Sequence, residues 1–487
     1  MRARRRDFVA SAVGAAVLVV GGCATRDVDA RVAPRPGTTW QPPPEARMPA
    51  SPPAPAPDIP PAYLTPGATV SLEQVIDVAL RNNPVTRTAW HQARAAAANL
   101  GAKRSAYFPD LELDANLTRG KQTSVGSRFI TLQTTYGPSL NLSWLLFDLG
   151  GRAADVAEAR NALFAADWTH DAVIQNLILR VEIAFYQYQN AKAQAAAAEA
   201  TIKQARESLA AAEERHRAGV ATIADVLQAR TAVSQAALVL ETARGSIQTL
   251  RGALATAAGV SPNVPVDVAE LPRDVNVEEI AETVDVFIDR AESQRPDLAA
   301  ARFEVLRAES HVRSVRAEGL PSLAASGSVS RVYFYNSSGL PFATNYSGSI
   351  LFRFPLFTGG RNTYETLEAR EQARAAEGQA ETLQDQVVLQ VWTSYYNLRT
   401  AAQRVKTARD LLVSATQSQE VAAGRYRAGV GSILDLLVAQ SAYANALAQE
   451  AQARSDWFVA LALLAHDTGS LGPPPATPPA ESKGAVP

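Results

Sequence analysis

The chain has 487 residues, of which 47 are basic and 48 acidic, so its formal net charge is −1. This balance argues against the large basic surface by which proteins bind nucleic acids. The single cysteine excludes an intrachain disulfide framework, and the five histidines never lie at the spacing of metal ligands. We therefore expect no nucleic-acid partner, no bound metal and no cofactor.

Residues 1–22 have the composition of an export signal. Arginines at positions 2, 4, 5 and 6 precede an apolar stretch at residues 8–20, which is too short to cross a bilayer as a stop-transfer helix. The run Val20-Gly21-Gly22-Cys23 resembles the lipobox of bacterial lipoproteins. That resemblance implies cleavage before Cys23 and a lipidated N-terminus at this cysteine. The alternative is an ordinary secretory signal with an incidental cysteine.

Two segments are rich in proline and show no apolar period. Residues 23–66 include a run of three consecutive prolines, and we interpret this segment as an extended tether. Residues 472–487 form a second proline-rich segment, which we interpret as a disordered tail. Between them we expect two folded units, residues 67–262 and residues 263–471.

These two units repeat each other. Arg217-Ala218-Gly219-Val220, with Asp225 following, recurs 210 residues later as Arg427-Ala428-Gly429-Val430, with Asp435 following. Because glycine, proline and aromatic positions keep nearly the same spacing, we interpret the repeat as an internal duplication. Other landmarks of the repeat are Pro84 and Pro296, Pro109 and Pro321, and Gly150-Gly151-Arg152 and Gly359-Gly360-Arg361.

Each repeat contains two stretches in which polar and apolar residues alternate. In the first repeat they surround Leu113 and Leu142, and in the second they surround Gly327 and Ile350. Each predicted strand has about ten residues, which suits a tilted strand that crosses a bilayer with one face toward lipid and one toward water. A soluble β-sandwich has the same alternation.

Four strands are too few to close a barrel. Open sheet edges in lipid leave backbone groups unpaired, at a cost of several kcal/mol per group. Three chains would supply twelve strands, whereas two would supply eight, a number that leaves a bore filled with side chains. We therefore expect a homotrimer.

Long helices follow the strands in each repeat. No proline occurs between Pro138 and Pro262, and these residues are mostly good helix formers with apolar positions at helical spacing. The stretch from Arg152 to Arg217 would form a rod on the order of 100 Å long. Gly219 then ends the helix, and Thr222 caps the next one.

Together with the lipobox cysteine, these motifs resemble the TolC-like outer membrane factor family, whose members are the exit ducts of tripartite efflux pumps and type I secretion systems. The most specific pieces are residues Leu145–Arg152, Pro355–Arg361 and the tip motif Tyr426–Leu437. The resemblance implies a mixed α and β membrane protein, in which a trimeric twelve-stranded outer-membrane β-barrel continues into a long periplasmic α-helical barrel. It also implies a lipid-anchored location in the outer membrane and two partners, a periplasmic adaptor protein and an inner-membrane pump.

The resemblance assigns roles at the hairpin tips. In the family a tyrosine of the second tip hydrogen-bonds an aspartate of the first, which corresponds to Tyr426 and Asp225. Asp435 matches an aspartate at the constriction, so these three residues form the expected periplasmic gate. Gly431 stands where relatives often have an arginine of this network. The tip residues that match the adaptor-contacting surface are Arg217, Gly219, Val220, Arg427, Gly429 and Val430.

The expected function is passive conduction of small molecules out of the periplasm. A type I protein secretion duct and a non-porous coiled-coil envelope lipoprotein are the alternatives. We expect no enzymatic activity, because the sequence shows no ordered catalytic triad, no phosphate-binding glycine loop and no paired carboxylates in a plausible cleft.

Overall fold

The computed structural model of the chain describes residues 57–60, 69–123, 130–270, 277, 281–335 and 341–472. The predicted signal peptide, Cys23, most of the predicted tether and the tail after residue 472 lie outside the described residues.

The described residues form eight helices and four strands. In chain order they are α1 Leu72–Asn82, α2 Pro84–Ser105, β1 Asp110–Thr123, β2 Ile130–Phe147, α3 Gly151–Arg217, α4 Ile223–Ala257, α5 Val284–Gln294, α6 Pro296–Ala317, β3 Ser322–Tyr335, β4 Phe342–Arg353, α7 Arg361–Arg427 and α8 Ile433–Asp467.

The same order of elements occurs twice. Helices α3 and α7 have 67 residues each, and α4 and α8 have 35 residues each. A 67-residue helix is about 100 Å long at 1.5 Å per residue, so the predicted long rods are present in the structure. None of the helices in the described part of the chain is both long and apolar enough to cross a membrane.

The four strands form one antiparallel sheet in the order β1-β2-β3-β4. The strands have 14, 18, 14 and 12 residues, which is longer than the ten residues expected from the alternation. They are longer because backbone pairing continues beyond the apolar positions into polar ends such as Gly120–Gln122. No described residue pairs with the outer edge of β1 or of β4.

One face of the sheet is apolar and exposed. Leu113, Tyr346 and Ile350 on this face have 74%, 85% and 73% of their surface accessible. The opposite face is polar: the Asn141 amide donates to the Asp114 carboxylate at 2.6 Å, and serine hydroxyls pair between β3 and β4 at 2.8 and 2.9 Å. A soluble sandwich would cover the apolar face with a second sheet, and no described element covers it.

The turn from strand to long helix has the same backbone conformation in both halves. This conformation shifts the alignment of the two repeats by one residue from the one that the sequence motifs suggest. Leu149 and Gly150 have φ of 50° and 96°, and Gly359 and Gly360 have φ of 67° and 83°. The equivalent pairs therefore lie 210 residues apart, whereas matching the two Gly-Gly-Arg motifs gives 209. Leu149 adopts a left-handed conformation that favours glycine.

Each half has a junction where its shorter helices meet the end of the hairpin. The Asn83 amide donates to the carbonyl of Ala257 at 3.1 Å. At the equivalent place the Arg295 guanidinium lies 3.4 Å from the carbonyl of Asp467 and pairs with Asp297 at 2.6 Å. Both donors satisfy a carbonyl at a helix end, which has no partner within its own helix.

A glycine closes each of these junctions. Gly259 and Gly469 have φ of 72° and 74°. A Cβ atom at Gly259 would lie 2.7 Å from the Asn83 nitrogen, and one at Gly469 would lie 2.8 Å from the Gln294 carbonyl carbon. Only glycine combines this conformation with so close an approach of two backbones.

Candidate functional site: the two hairpin tips

The two tips have the same backbone conformation. Gly219 and Gly429 have φ of 77° and 82° and end their helices in the left-handed conformation. The next residue in each tip, Val220 or Val430, donates its backbone N–H across the turn to the carbonyl of residue 215 or 425 at 3.0 Å. This pattern is the glycine-terminated helix end that the sequence predicts.

The side chains that cap the following helices differ between the tips. In the first tip Asp225 donates its N–H to the Thr222 hydroxyl at 3.3 Å, and the Asp225 carboxylate accepts from the Thr222 N–H at 2.8 Å. In the second tip the Asp435 N–H donates to the Ser432 hydroxyl at 3.1 Å. The Asp435 carboxylate has no hydrogen bond or ion pair among the described residues, so it remains available to a ligand or a neighbouring subunit.

Tyr426 is buried where the two tips meet. Only 6% of its surface is accessible, and it packs with Ile433 and Leu436. The Arg215 guanidinium lies over the Tyr426 ring, 4.8 Å from its centroid, and donates to the Tyr426 backbone carbonyl at 2.6 Å. A cation over an aromatic face and a charge-assisted hydrogen bond therefore join the first tip to the second.

The hydrogen bond expected between Tyr426 and Asp225 is not formed in this structure. The Tyr426 hydroxyl is buried and has no hydrogen-bond partner among the described atoms. The Asp225 carboxylate instead accepts from the N–H and the hydroxyl of Thr222, at 2.8 and 3.0 Å. The local capping interaction occupies this carboxylate, because Thr222 lies only three residues away and is fixed by the helix start.

Asp225 still acts on Tyr426 through its charge. Burial raises the pKa of the Tyr426 hydroxyl, the nearby Arg215 charge lowers it, and the negative charge of Asp225 raises it. The net direction is upward, so the hydroxyl stays neutral at physiological pH. It can therefore donate or accept a hydrogen bond if the tips move.

His216 occupies the position in the first tip that Tyr426 occupies in the second. Its side chain is exposed, and its Nδ1 lies 2.9 Å from the carbonyl oxygen of Ala221. A carbonyl oxygen only accepts, so Nδ1 carries the proton in this contact. The first tip thus has a polar ring on its surface where the second has a buried aromatic ring.

A groove of about 720 Å³ opens beside the second tip, between α7 and α8. Arg425, Gly431, Asp435 and Val438 are among its lining residues. A Cβ atom at Gly431 would lie 3.0 Å from the Tyr426 nitrogen, so a larger residue there would press on the backbone of Tyr426. This glycine leaves the groove open.

The residues expected to contact an adaptor lie at the ends of the hairpins. Val220 and Val430 have 66% and 70% of their surface accessible. Arg217 pairs with Glu214 of its own helix at 2.5 Å, and Arg427 donates to the carbonyl of Ala423 at 3.3 Å. The two tips therefore present small apolar residues flanked by basic ones, which is a surface suited to protein contact.

Arg215 is the tip residue that sequence reasoning missed. The sequence carried a signal, because Arg215 and Arg425 recur at the repeat distance and each directly precedes the ring residue, His216 or Tyr426. The contact itself joins residues 211 positions apart, and it depends on how α3 packs beside the second hairpin.

The described architecture can be compared with known proteins. The sequence profile of the outer membrane efflux protein family matches residues 75–260 and again residues 287–470. The chain belongs to the outer membrane efflux protein family. This finding confirms the resemblance inferred from the strand-to-helix and tip motifs.

Several relatives and solved structures are similar over most of the chain. Protein CyaE of Bordetella pertussis is 29% identical over 472 residues, which cover 94% of each protein. Outer membrane protein TolC of Escherichia coli is 24% identical over 401 residues, which cover 80% of each protein. The structure of the outer-membrane channel OprN superimposes with a TM-score of 0.74 at 21% identity, and covers 84% of this chain and 94% of that one.

These comparisons establish the fold as that of the TolC-like outer membrane channels. The family consists of channel proteins and not of enzymes, which agrees with the expected lack of catalytic activity.

Proposed function

We propose that the protein is the outer membrane exit duct of a tripartite efflux system and acts as a homotrimer. Three chains would close their sheets into a twelve-stranded β-barrel, and their α3/α4 and α7/α8 hairpins would form a periplasmic α-helical barrel. Small molecules delivered by an inner-membrane pump through a periplasmic adaptor would pass along this bore without further energy input.

One observation carries the proposal: the four-stranded sheet has an exposed apolar face and two unpaired edges. Leu113, Tyr346 and Ile350 are too exposed for a sheet that folds against a protein core. Unpaired edges in lipid cost several kcal/mol per backbone group. A ring of subunits removes both edges of every chain, since β4 of one chain can pair with β1 of the next.

The proposed architecture assigns each predicted segment a place. Residues 1–22 would be removed as a signal peptide, Cys23 would carry the lipid, and residues 23–66 would tether the barrel to the membrane surface. Residues 67–262 and 263–471 would be duplicated halves, and residues 472–487 would be a tail. The double match to one family profile supports the duplication.

The proposed gate lies at the tips. Asp435 would ring the constriction, because its carboxylate is exposed beside a groove and has no partner among the described residues. Tyr426 and Arg215 would hold the second tip against the first, and Asp225 would act by capping α4 and by its charge. The adaptor would engage Arg217, Gly219, Val220, Arg427, Gly429 and Val430 and shift the tips toward an open arrangement.

Planar-bilayer recording of the purified full-length protein tests this proposal. We expect discrete conductance steps, and larger steps for the double variant Asp225→Ala/Tyr426→Phe than for the wild type. Tyr426→Phe alone should change the steps little, because the hydroxyl makes no hydrogen bond in the structure. A wild-type protein that carries no current would overturn the channel proposal. Unchanged steps in the double variant would remove the Asp225 carboxylate and the Tyr426 hydroxyl from the gate.

A type I secretion duct would use the same architecture, so conductance does not separate it from an efflux duct. Deletion of the gene separates them. An efflux duct predicts increased sensitivity to small toxic compounds, whereas a secretion duct predicts loss of a protein from the culture medium. A non-porous lipoprotein predicts neither effect and no current.

A further inference from the structure

We infer that β4 of each subunit pairs with β1 of the next in a register that places Arg353 opposite Asp114. This inference rests on the proposed trimer and adds what that proposal does not specify: the pairing of individual residues and a charged contact at the seam. The partner is a second copy of this chain.

The register follows from the repeat. Within one chain β2 pairs with β3, and Ser143 lies opposite Ser326. The first-half counterpart of β4 is β2, with equivalent positions 210 residues apart, as the matching left-handed turns show. The counterpart of β3 is β1, since both have 14 residues and begin 212 positions apart. Applying these offsets to the Ser143–Ser326 pair gives Arg353 opposite Asp114 of the next subunit.

The faces of the two strands agree with this register. The same offsets place Ile350 opposite Leu117 of the next subunit, and both residues lie on the apolar face. They also place Ser349 opposite Thr118, and both lie on the polar face. A register that differed by one residue would put apolar side chains opposite the polar face along the whole seam.

The charges of the polar face provide an independent argument. Within the described parts of the four strands, Arg353 is the only basic residue on this face, and all the acidic residues, Asp110, Glu112 and Asp114, lie on β1. The basic residue is therefore on one outer strand and the acidic residues are on the other. A ring of identical subunits brings these two strands together.

Both side chains are able to form the contact. Arg353 is exposed and has no hydrogen bond or ion pair among the described residues. Asp114 is half-buried and accepts one hydrogen bond, from Asn141 at 2.6 Å, which leaves most of its acceptor capacity unused. Directly opposite residues in an antiparallel pair have Cβ atoms about 5 Å apart, and the diagonal neighbour Glu112 is within reach of an arginine.

The pair would also distinguish the seam between chains from the contact within a chain. The internal contact has Ser143 and Ser326 at this position, which are neutral and tolerate any polar neighbour. An Arg–Asp pair favours the β4-to-β1 contact, while two β1 strands would bring like charges together. Opposite charges at the edges thus direct the subunits into a head-to-tail ring.

Charge reversal tests the pair. We expect Arg353→Asp and Asp114→Arg each to lower the temperature at which the detergent-solubilised trimer dissociates, by roughly 2–4 °C or more. The double variant Arg353→Asp/Asp114→Arg should recover most of this loss. The matched control Arg353→Asp/Asp110→Arg reverses the same charges, but residue 110 does not lie opposite residue 353, so it should not recover. Equal dissociation temperatures of the two double variants would show that Arg353 and Asp114 do not form a pair.

Cysteine cross-linking tests the register without relying on charge. Ser349→Cys/Thr118→Cys should link subunits on oxidation, whereas Asn345→Cys/Thr118→Cys, displaced by four residues or about 13 Å along the strand, should not. Ser139→Cys/Ser330→Cys, opposite each other within one chain, should leave the chains separate on a denaturing gel. The wild type, with Cys23 alone, gives the background.

The outcomes separate this inference from the proposed function. If the wild type forms no trimer, the proposed function fails. If the trimer forms but the displaced pair links subunits and the predicted pair does not, the inferred register fails and the trimeric duct stands.

Discussion

The two hairpin tips have the same backbone and different side chains. Both use a left-handed glycine and a hydroxyl cap, but the ring residue before the turn is an exposed His216 in one tip and a buried Tyr426 in the other. The acidic residue is held by its cap in the first tip, as Asp225, and has no partner among the described residues in the second, as Asp435. The shared features form the turn, so the differing side chains are where a gate would be found.

The two junctions in the helical region likewise have the same backbone arrangement and different side chains. Asn83 and Arg295 both reach a carbonyl at the end of a hairpin, but one is a neutral amide and the other is a buried charge paired with Asp297. At this junction the second half therefore has a charged contact where the first half has a neutral one.

The glycines at the junctions should tolerate substitution least. We expect Gly259→Ala and Gly469→Ala to lower the free energy of unfolding by about 2–4 kcal/mol, because each adds a clash to an unfavourable φ. Gly219→Ala is the control: its φ is also positive, but no atom lies within 4 Å of an added Cβ. It should cost about 1 kcal/mol. Thermal unfolding measures all three, and equal losses would show that close packing at the junctions is unimportant.

The charged junction should make the second half sensitive to acid. Burial raises the pKa of Asp297, but hydrogen bonds and charge from Arg295 lower it more, so its folded pKa is below the usual value. Its contribution to stability is therefore present above about pH 4 and is lost as the pH falls through the folded pKa.

Asp297→Asn should remove that contribution at neutral pH and cost about 1–3 kcal/mol, allowing for partial exposure of the carboxylate. The equivalent residue of the first half is Val85, and Val85→Ala leaves all charges in place and serves as the control. Unfolding curves at several pH values measure both variants. An acid transition unchanged by Asp297→Asn would contradict the role of this pair.

The contact between the tips should depend on Arg215. Arg215→Ala removes the cation from the Tyr426 ring and one charge-assisted hydrogen bond, a loss of about 1–3 kcal/mol per subunit. We therefore expect larger conductance steps and shorter closed times. The Arg215→Lys variant should give intermediate values of both, because lysine keeps only the charge. Arg217→Ala, which loses an exposed pair with Glu214, is the control. If both alanine variants conduct alike, Arg215 does not hold the tips together.

The caps should show the smallest difference. Thr222→Ala and Ser432→Ala each remove a hydroxyl acceptor, at about 1 kcal/mol. Thr222→Ala should cost slightly more, since Asp225 also loses its hydrogen bond from the hydroxyl. Hydrogen exchange at the first turns of α4 and α8 measures this difference. The reverse order would show that the complete capping box adds nothing to the first tip.

The sequence was sufficient for features determined by nearby residues. The long helices follow from the lack of proline after Pro138, and the tip turns follow from Gly219 and Thr222. The order of the strands in the sheet was not predicted. The alternation of polar and apolar residues nevertheless predicted the four strands and the polar and apolar faces of the sheet. The lengths of the strands were underestimated, because backbone pairing does not stop where apolar residues do.

Contacts between distant residues could not be derived in this way. The predicted Tyr426–Asp225 hydrogen bond was wrong for this structure, because the nearby Thr222 competes for the same carboxylate. The Arg215–Tyr426 contact depends on the packing of two hairpins, which no local pattern specifies. The Gly-Gly-Arg alignment was one residue off, because Leu149 takes a conformation usually left to glycine.

Native mass spectrometry of the detergent-solubilised mature protein measures how many chains form the complex. The unpaired edges of β1 and β4 predict a complex of three chains, held together after the detergent is removed in the gas phase. A spectrum dominated by single chains, from a sample that remains folded by circular dichroism, would contradict a barrel built from several subunits.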